Sequence, residues 1–133
     1  MQGLYGPFTL TERVLQRIWA EQDFAAERAT LTDGRALRVD APGRWNLLGG
    51  PDFLGARLRL DARAVDGDVE VHFRVRDWRA HGHAANPAFG GVVLHVLLHP
   101  PDPEEAPARR ADGATIPSVA LLPLLHRDLE EYA

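Results

Sequence analysis

A glutamate and a histidine separated by one residue form the pair with the clearest chemical potential in this sequence. Glu70 and His72 lie in a run where apolar and polar residues alternate, from Val69 to Arg76. Alternate side chains of a β-strand project from the same face, so both groups should point the same way. A carboxylate beside an imidazole could hold a divalent cation and accept a proton from water.

An upstream aspartate would complete such a site, and two are available. Asp52 follows a proline in a glycine-rich loop, and Asp61 lies in the alternating run before Glu70. With the Pro-Asp dipeptide and the segment Glu70–His72, the pattern resembles that of the PD-(D/E)xK nucleases, with histidine in the place of lysine. The resemblance implies two carboxylates that hold Mg²⁺ or Mn²⁺, and a basic residue that orients or deprotonates the attacking water.

Histidine in the lysine position changes what this site can do. An imidazole titrates near pH ~6.5, so His72 could act as a base or bind the metal, but it cannot supply a permanent positive charge. Arg59 or Arg74 could supply that charge and hold phosphate. We therefore predict catalytic roles for Asp52, Glu70 and His72, and phosphate binding by the two arginines.

Histidine is also concentrated in one part of the chain. Five of the six histidines lie between positions 72 and 99. The His81-Gly-His83 motif could complete a Zn²⁺, Mn²⁺ or iron site beside Glu70. His95 lies in an apolar run, so it is either a hydrogen-bonded histidine of the core or a residue that supports the metal ligands. Trp78 either packs in the core or forms a wall of the site. The predicted metal ligands are Asp52, Asp61, Glu70, His81 and His83.

Two residue types are missing from the sequence of 133 residues. There is no cysteine, and all fifteen basic residues are arginine, so there is no lysine. These absences exclude a disulfide scaffold, a thiolate zinc finger, a thiol nucleophile, Schiff-base chemistry and a lysine-bearing P-loop. Any catalysis must use Asp, Glu, His, Ser, Thr, Tyr or a metal.

The net charge of -4 is unevenly placed along the chain. Residues 1–99 carry twelve arginines and twelve acids, whereas residues 100–133 carry three arginines and seven acids. The body of the domain is therefore neutral, and a local arginine cluster could still face nucleic acid. The N-terminus does not read as a secretory signal, and the longest apolar run is too short to span a membrane, so we expect a cytoplasmic protein without membrane contact.

The periodicity predicts the elements that would position these groups. A helix is expected over Leu10–Asp23, with Thr9 and Glu12 at capping-box spacing. Asp66-Gly67 between two alternating runs predicts a hairpin whose two-residue turn pairs Leu60 with Phe73. That register places Asp61 opposite His72 and Arg59 opposite Arg74. Asp52 can then join Glu70 only if the chain bends, for example at Gly55, or if the first strand starts later; otherwise Asp61 is the better partner.

The remaining chain completes a prediction of the α/β (α+β) class. A short helix is expected near Asp77, and Val92–His99 reads as a buried strand in mid-sheet. We predict a mixed central sheet with flanking helices and a restriction-endonuclease-like αβββαβ core. The expected organisation is a core domain over residues 1–99, a polar proline-rich loop over 100–113, and a strand and helix over 114–133.

Longer motifs resemble a bacterial family of unknown function, DUF2851. The resemblance implies that the chain continues into further domains of a longer parent protein; it implies no activity. It also implies family motif positions for six candidates: Asp52, Glu70, His72, His81, His83 and His95. The segments that carry it are Leu15–Trp19, Leu31–Gly34, Pro42–Asn46, Gly50–Phe53, Gly67–His72, Asp77-Trp78 with His81 and His83, Val93–Val96 and Ile116-Pro117.

Three functions follow from these residues. The first is a metal-dependent phosphodiesterase, nuclease-like and acting on nucleic acid. The second is a non-catalytic structural or interaction domain in which histidines and carboxylates form ion pairs. The third is a hydrolase with a histidine-rich metal site, which would hold stoichiometric Zn²⁺ or Mn²⁺.

Overall fold

The computed structural model describes residues 11–133, which form a mixed sheet of six strands with short helices on its faces. This confirms the predicted α+β class with a mixed central sheet. The helices are α1 (Glu12–Glu21) and α2 (Asp77–Ala80). The strands are β1 (Leu37–Ala41), β2 (Arg44–Trp45), β3 (Phe53–Leu60), β4 (Arg63–His72), β5 (Val92–Leu97) and β6 (Ser118–Ala120). Turns of 3₁₀ helix span Ala26–Arg28, His83–Ala85, Pro87–Phe89, Leu122–Leu124 and Leu129–Tyr132.

Helix α1 forms where the periodicity predicts it, but its cap differs. The side chain of Thr11 accepts a hydrogen bond from the backbone N–H of Val14, so Thr11 is the N-cap. The predicted cap, Thr9, lies outside the described residues. The helix ends at Gln22, which adopts a left-handed conformation with φ 52°. Its buried face consists of Leu15, Ile18 and Trp19.

The sheet has the order β1-β3-β4-β5-β6, and β2 pairs with β3 at its side. The pairings of β1 with β3 and of β3 with β4 are antiparallel, whereas β4, β5 and β6 are parallel. Parallel neighbours require a crossover connection. Between β4 and β5 this connection contains α2 and two 3₁₀ turns, so it covers one face of the sheet. The buried mid-sheet strand predicted at Val92–His99 is β5.

The hairpin of β3 and β4 forms, but the predicted turn and register are wrong. Its turn lies at Asp61, which has φ 54° and whose carboxylate accepts a hydrogen bond from the backbone of Ala36 at 2.9 Å. Leu60 therefore pairs with Arg63, not with Phe73. As a result, Asp61 does not lie opposite His72, and the two arginines at 59 and 74 do not face each other.

Gly67 explains why the Asp-Gly signal was misleading. This glycine lies inside β4, opposite Ala56 and close to the start of β5. A Cβ atom at Gly67 would lie 2.6 Å from a methyl carbon of Val93 and 2.8 Å from the carbonyl oxygen of Gly91. The glycine is therefore required by the neighbouring strand and not by a turn.

Two apolar layers pack on opposite faces of the sheet. The larger layer lies beneath α1, and the smaller lies beneath α2 and the turns that follow it. The α1 layer includes Leu15, Trp19, Phe53, Leu58, Val69, Val71, Leu94 and Val96. The α2 layer consists of Trp78, Phe89, Val92, Ala108 and Ile116.

The C-terminal segment differs from the predicted strand and helix. Strand β6 joins the same sheet, parallel to β5, but two 3₁₀ turns replace the predicted helix at Leu124–Tyr132. The final turn packs because Tyr132 is buried against the α1 layer and the Arg127 guanidinium lies 4.0 Å from its ring centre. Within residues 11–133, no helix combines the length and apolar character needed to cross a membrane.

The close approach at Gly67 yields a test of the strand register. We expect Gly67→Ala to lower the free energy of unfolding by about 1–3 kcal/mol, because the added methyl group must displace the Val93 side chain and the carbonyl oxygen of Gly91. Gly49→Ala is the matched control, since a Cβ atom there would meet open space. Urea unfolding of both variants measures the difference, and equal stability of the two would contradict the register.

Candidate metal centre

Four donor-bearing side chains gather on the face of the sheet that α2 covers. Glu70 and His72 project from β4, and His81 and His83 follow α2 on the crossover. Between the two crossover histidines, Gly82 has φ 73°, a conformation that side chains rarely adopt. This bend separates an α-helical end from a 3₁₀ turn and lets both rings reach β4. We call these four residues the His–Glu cluster.

Three pairs of donor atoms in the cluster are spaced as adjacent ligands of one ion are spaced. His72 Nε2 lies 3.1 Å from His81 Nδ1 and 3.3 Å from Glu70 Oε2. The same carboxylate oxygen lies 2.8 Å from His83 Nε2. Ligand atoms bonded at ~2.0–2.2 Å to one ion are about 2.8–3.6 Å apart when adjacent. Ring nitrogens of the three histidines all lie within 4.8 Å of one another.

One atom of the cluster has no conventional partner. His83 Nε2 is buried, yet it has no hydrogen-bond partner among the described residues, although Glu70 Oε2 is only 2.8 Å away. The approach is therefore close in distance but not aligned as a hydrogen bond. A cation bound by both atoms would satisfy the imidazole lone pair and the carboxylate together, so the residues fit a metal ion.

Burial and neighbouring groups favour the uncharged form of Glu70, His72 and His83. Burial, with the nearby carboxylates of Asp52 and Glu12, raises the pKa of Glu70 to about 9. Burial lowers the pKa of His72 far below its ordinary value and also lowers the pKa of His83. Near neutral pH the two rings are therefore neutral and offer lone pairs. An opposite charge favours ionisation of a carboxyl group, so a bound cation would return Glu70 to its anionic form.

Asp52 lies against Glu70, as the Pro-Asp pattern requires. The backbone N–H of Asp52 donates to Glu70 Oε1 at 3.1 Å, and Asp52 Oδ2 accepts from the backbone N–H of Val71 at 2.9 Å. Asp52 is placed there because β3 begins at the next residue and pairs with β4 at Val69. The structure thus brings Asp52, and not Asp61, together with Glu70; Asp61 lies at the hairpin turn.

The predicted phosphate-binding arginines lie apart. Arg59 forms an ion pair with Asp40 of β1 at 3.1 Å. Arg74 is exposed beyond the end of β4, where its backbone N–H donates to Asp77. No anion-binding pair is therefore assembled by these two arginines in the described part of the chain.

His95 and Trp78 lie directly behind the cluster. His95 pairs with Glu70 in the register of β4 and β5, and its Nε2 lies 2.8 Å from His72 Nδ1. Its ring is fully buried, and burial lowers its pKa to about 3. The Trp78 ring lies 5.5 Å from that of His95 and 5.3 Å from that of His83. Both side chains thus support the donor groups from the interior.

Two further residues, Phe89 and Glu12, act on the cluster but are not predicted from the sequence. The Phe89 ring stacks on the His83 ring, with centroids 3.8 Å apart, and Glu12 at the start of α1 acts electrostatically on Glu70. Neither has a local signal in the sequence, because Phe89 follows an Asn-Pro turn and Glu12 reads as part of a helix cap. Their positions depend on how the crossover and α1 pack on the sheet.

The family comparison covers almost the same range as the described fold. The model of the family described as "Protein of unknown function (DUF2851)" matches residues 12–133. The chain belongs to this family. The match includes every residue of the His–Glu cluster, so the cluster lies within the DUF2851 domain itself. No curated protein and no solved structure matches the chain.

The raised pKa of Glu70 predicts a stabilising substitution in this DUF2851 domain. With chelator present, Glu70→Gln should raise the free energy of unfolding at neutral pH by about 1–3 kcal/mol, the range for relieving a poorly satisfied buried polar group. The amide oxygen can still accept from Asp52, and no carboxyl proton must be taken up on folding. Urea unfolding measures the change; a less stable variant would contradict the assigned electrostatics.

The same variant predicts a pH dependence with a definite sign. Between the ordinary value of 4.5 and the folded value of about 9, Glu70 is protonated in the folded chain and ionised in the unfolded chain. Wild-type stability therefore falls through this group as pH rises across that window. The advantage of Glu70→Gln should be larger at about pH 8 than at about pH 5. Parallel unfolding curves in chelator measure it, and a constant difference would contradict the shift.

Proposed function

We propose that this protein is a metal-dependent hydrolase whose divalent ion is held by the His–Glu cluster. The observation that carries the proposal is the convergence of the three imidazoles of His72, His81 and His83, with a Glu70 carboxylate oxygen close to two of them. Imidazole ligands favour Zn²⁺, Mn²⁺ or Fe²⁺, whereas Mg²⁺ prefers an all-oxygen environment. Since the sequence has no cysteine, thiolate ligation does not compete.

The surroundings give each residue of the cluster a distinct task. Glu70 and His72 are buried and fixed by β4, so they anchor the ion. His81 is exposed and His83 partly so, which leaves the crossover side open to solvent and substrate. A bound divalent ion would polarise the scissile group and lower the pKa of a coordinated water.

Asp52 is the residue that we assign to accept a proton. Burial raises its pKa, and a carboxyl group with a raised pKa is a better proton acceptor near neutral pH. The hydrogen bond from Val71 fixes its orientation, and its own backbone N–H holds Glu70. We assign Asp52 as the general base or as an additional oxygen ligand, and both roles are lost in Asp52→Asn.

Phosphodiesters of nucleic acid are the substrate class that we propose. The support for this class is that Asp52 and Glu70 lie side by side, at the two positions where the sequence resembles the PD-(D/E)xK pattern. The separation of Arg59 from Arg74 means that phosphate would be held by the ion and not by an arginine pair. We also propose a cytoplasmic location, and the second candidate is a histidine-rich hydrolase acting on another ester or amide.

Metal content tests the centre itself. Purified wild-type protein, loaded with Zn²⁺ or Mn²⁺ and dialysed, should retain about one ion per chain by elemental analysis, because the donors can surround one ion. His83→Ala should weaken retention at least tenfold, since it removes one of three imidazoles. His126→Ala is the matched control, because that histidine is exposed and remote in the fold.

The contrast with Glu70→Gln sharpens this test. That variant is predicted to be more stable without metal, so poor metal retention in it cannot be attributed to misfolding. Metal should raise the melting temperature of wild type more than that of Glu70→Gln. Equal retention by wild type, His83→Ala and Glu70→Gln, or no retention by any of them, would remove the metal centre and favour the non-catalytic domain.

Hydrolysis assays test the reaction and the substrate class. We expect metal-loaded wild type to cleave supercoiled DNA, single-stranded DNA or RNA, and Asp52→Asn to lose at least 100-fold in rate, the range of general acid–base catalysis. A carboxyl ester and a peptide serve as the comparison substrates. Cleavage of those alone would establish the second candidate, and equal rates for wild type and Asp52→Asn would contradict the assigned base.

A further inference from the structure

We propose that His95 is a positioning residue that determines which nitrogen of His72 faces the metal ion. The inference rests on the proposed metal centre and goes beyond it, because His95 is not among the four donors. His95 Nε2 lies 2.8 Å from His72 Nδ1, on the opposite side of the ring from the cluster. The other nitrogen of His72, Nε2, lies among the donor atoms of Glu70 and His81.

The proton positions follow from the geometry. A neutral imidazole carries one proton, so one ring nitrogen donates and the other accepts. For His72 Nε2 to bind an ion through its lone pair, the proton of His72 must be on Nδ1. At 2.8 Å that proton requires an acceptor, which is His95 Nε2, and His95 must then carry its own proton on Nδ1. A carboxylate or carbonyl usually provides this acceptor behind a metal-bound histidine; here a second imidazole does.

The surroundings of His95 support this assignment. The residue is 0% exposed, and its Nδ1 has no hydrogen-bond partner within the described residues. The Trp78 and His72 rings meet it edge-on, with centroids 5.5 Å and 5.0 Å away. An apolar residue would fill this space without a buried unpaired nitrogen. Within residues 11–133, the one polar contact of the His95 side chain is with His72. Holding that ring is therefore the role that the His95 imidazole can serve.

The register of the sheet makes the contact rigid. His95 lies beside Glu70 on neighbouring parallel strands, and its backbone N–H is held by the carbonyl of Pro117 at 2.9 Å. His72 is the last residue of β4 and pairs with Leu97. The ladder fixes the two backbones and burial leaves both rings little room to turn, so His72 can present Nε2 without a backbone rearrangement when an ion arrives.

Two substitutions distinguish positioning from packing. His95→Leu keeps a buried side chain of similar size but removes the acceptor, whereas His95→Gln retains an oxygen that can accept from His72 Nδ1. We expect His95→Leu to weaken Zn²⁺ affinity 10–100-fold, as loss of a hydrogen bond behind a ligand does, and His95→Gln to recover most of it. Affinity is measured by competition with a chromogenic chelator, with His126→Leu as the control for losing a histidine.

Nitrogen NMR of the ring provides the readout that packing would not change. In Zn²⁺-loaded wild type, His72 should show a protonated Nδ1 with a slowly exchanging proton and a metal-bound Nε2. In His95→Leu that proton should exchange rapidly. If wild type binds Zn²⁺ and His95→Leu binds it equally well, or if His72 binds through Nδ1, the positioning role is wrong and the metal centre stands. If wild type binds no Zn²⁺, both proposals fail.

Discussion

The parallel pairing of β4 with β5 is the constraint on which the rest of the structure depends. It places Glu70 beside His95 and brings ionisable groups into a layer that should be apolar. Burial without a compensating charge holds Glu70 protonated and the imidazoles neutral. A buried imidazole nitrogen without a partner costs about 1–3 kcal/mol, so this arrangement opposes folding. Such a cost in the most ordered part of a sheet is expected where function requires it.

The same pairing determines which aspartate belongs to the site. A Cβ atom at Gly67 would clash with Val93 of β5 and with the carbonyl oxygen of Gly91, and β4 continues through that position instead of turning. The hairpin therefore turns earlier, at Asp61, and β3 pairs so that its first residue lies against Val69. Asp52 then falls beside Glu70. The contact between β4 and β5 therefore helps to determine that Asp52, and not Asp61, lies beside Glu70. The local sequence of either strand does not show this.

The sequence predicts the elements well and their register poorly, for one physical reason. Alternation identifies β4, the apolar run identifies β5, and one-residue spacing places Glu70 and His72 on one face, since all are local properties. Asp66-Gly67 has the composition of a turn, but the glycine is required there by the close contact with Val93 of β5. The local sequence does not reveal that neighbour. The pairing of His72 with His95 and the stacking of Phe89 on His83 are likewise set by tertiary packing.

The surroundings of His72 explain why a histidine and not a lysine suits position 72. A lysine at position 72 would place an ammonium group against His95, whose neutral imidazole offers only weak compensation for a buried charge. His72 is neutral there, so it cannot balance Glu70 either. Without a nearby positive charge, Glu70 stays protonated near neutral pH. The three imidazoles of His72, His81 and His83 could hold a metal ion beside it, and such an ion would satisfy their lone pairs and favour the anionic form of Glu70 at once.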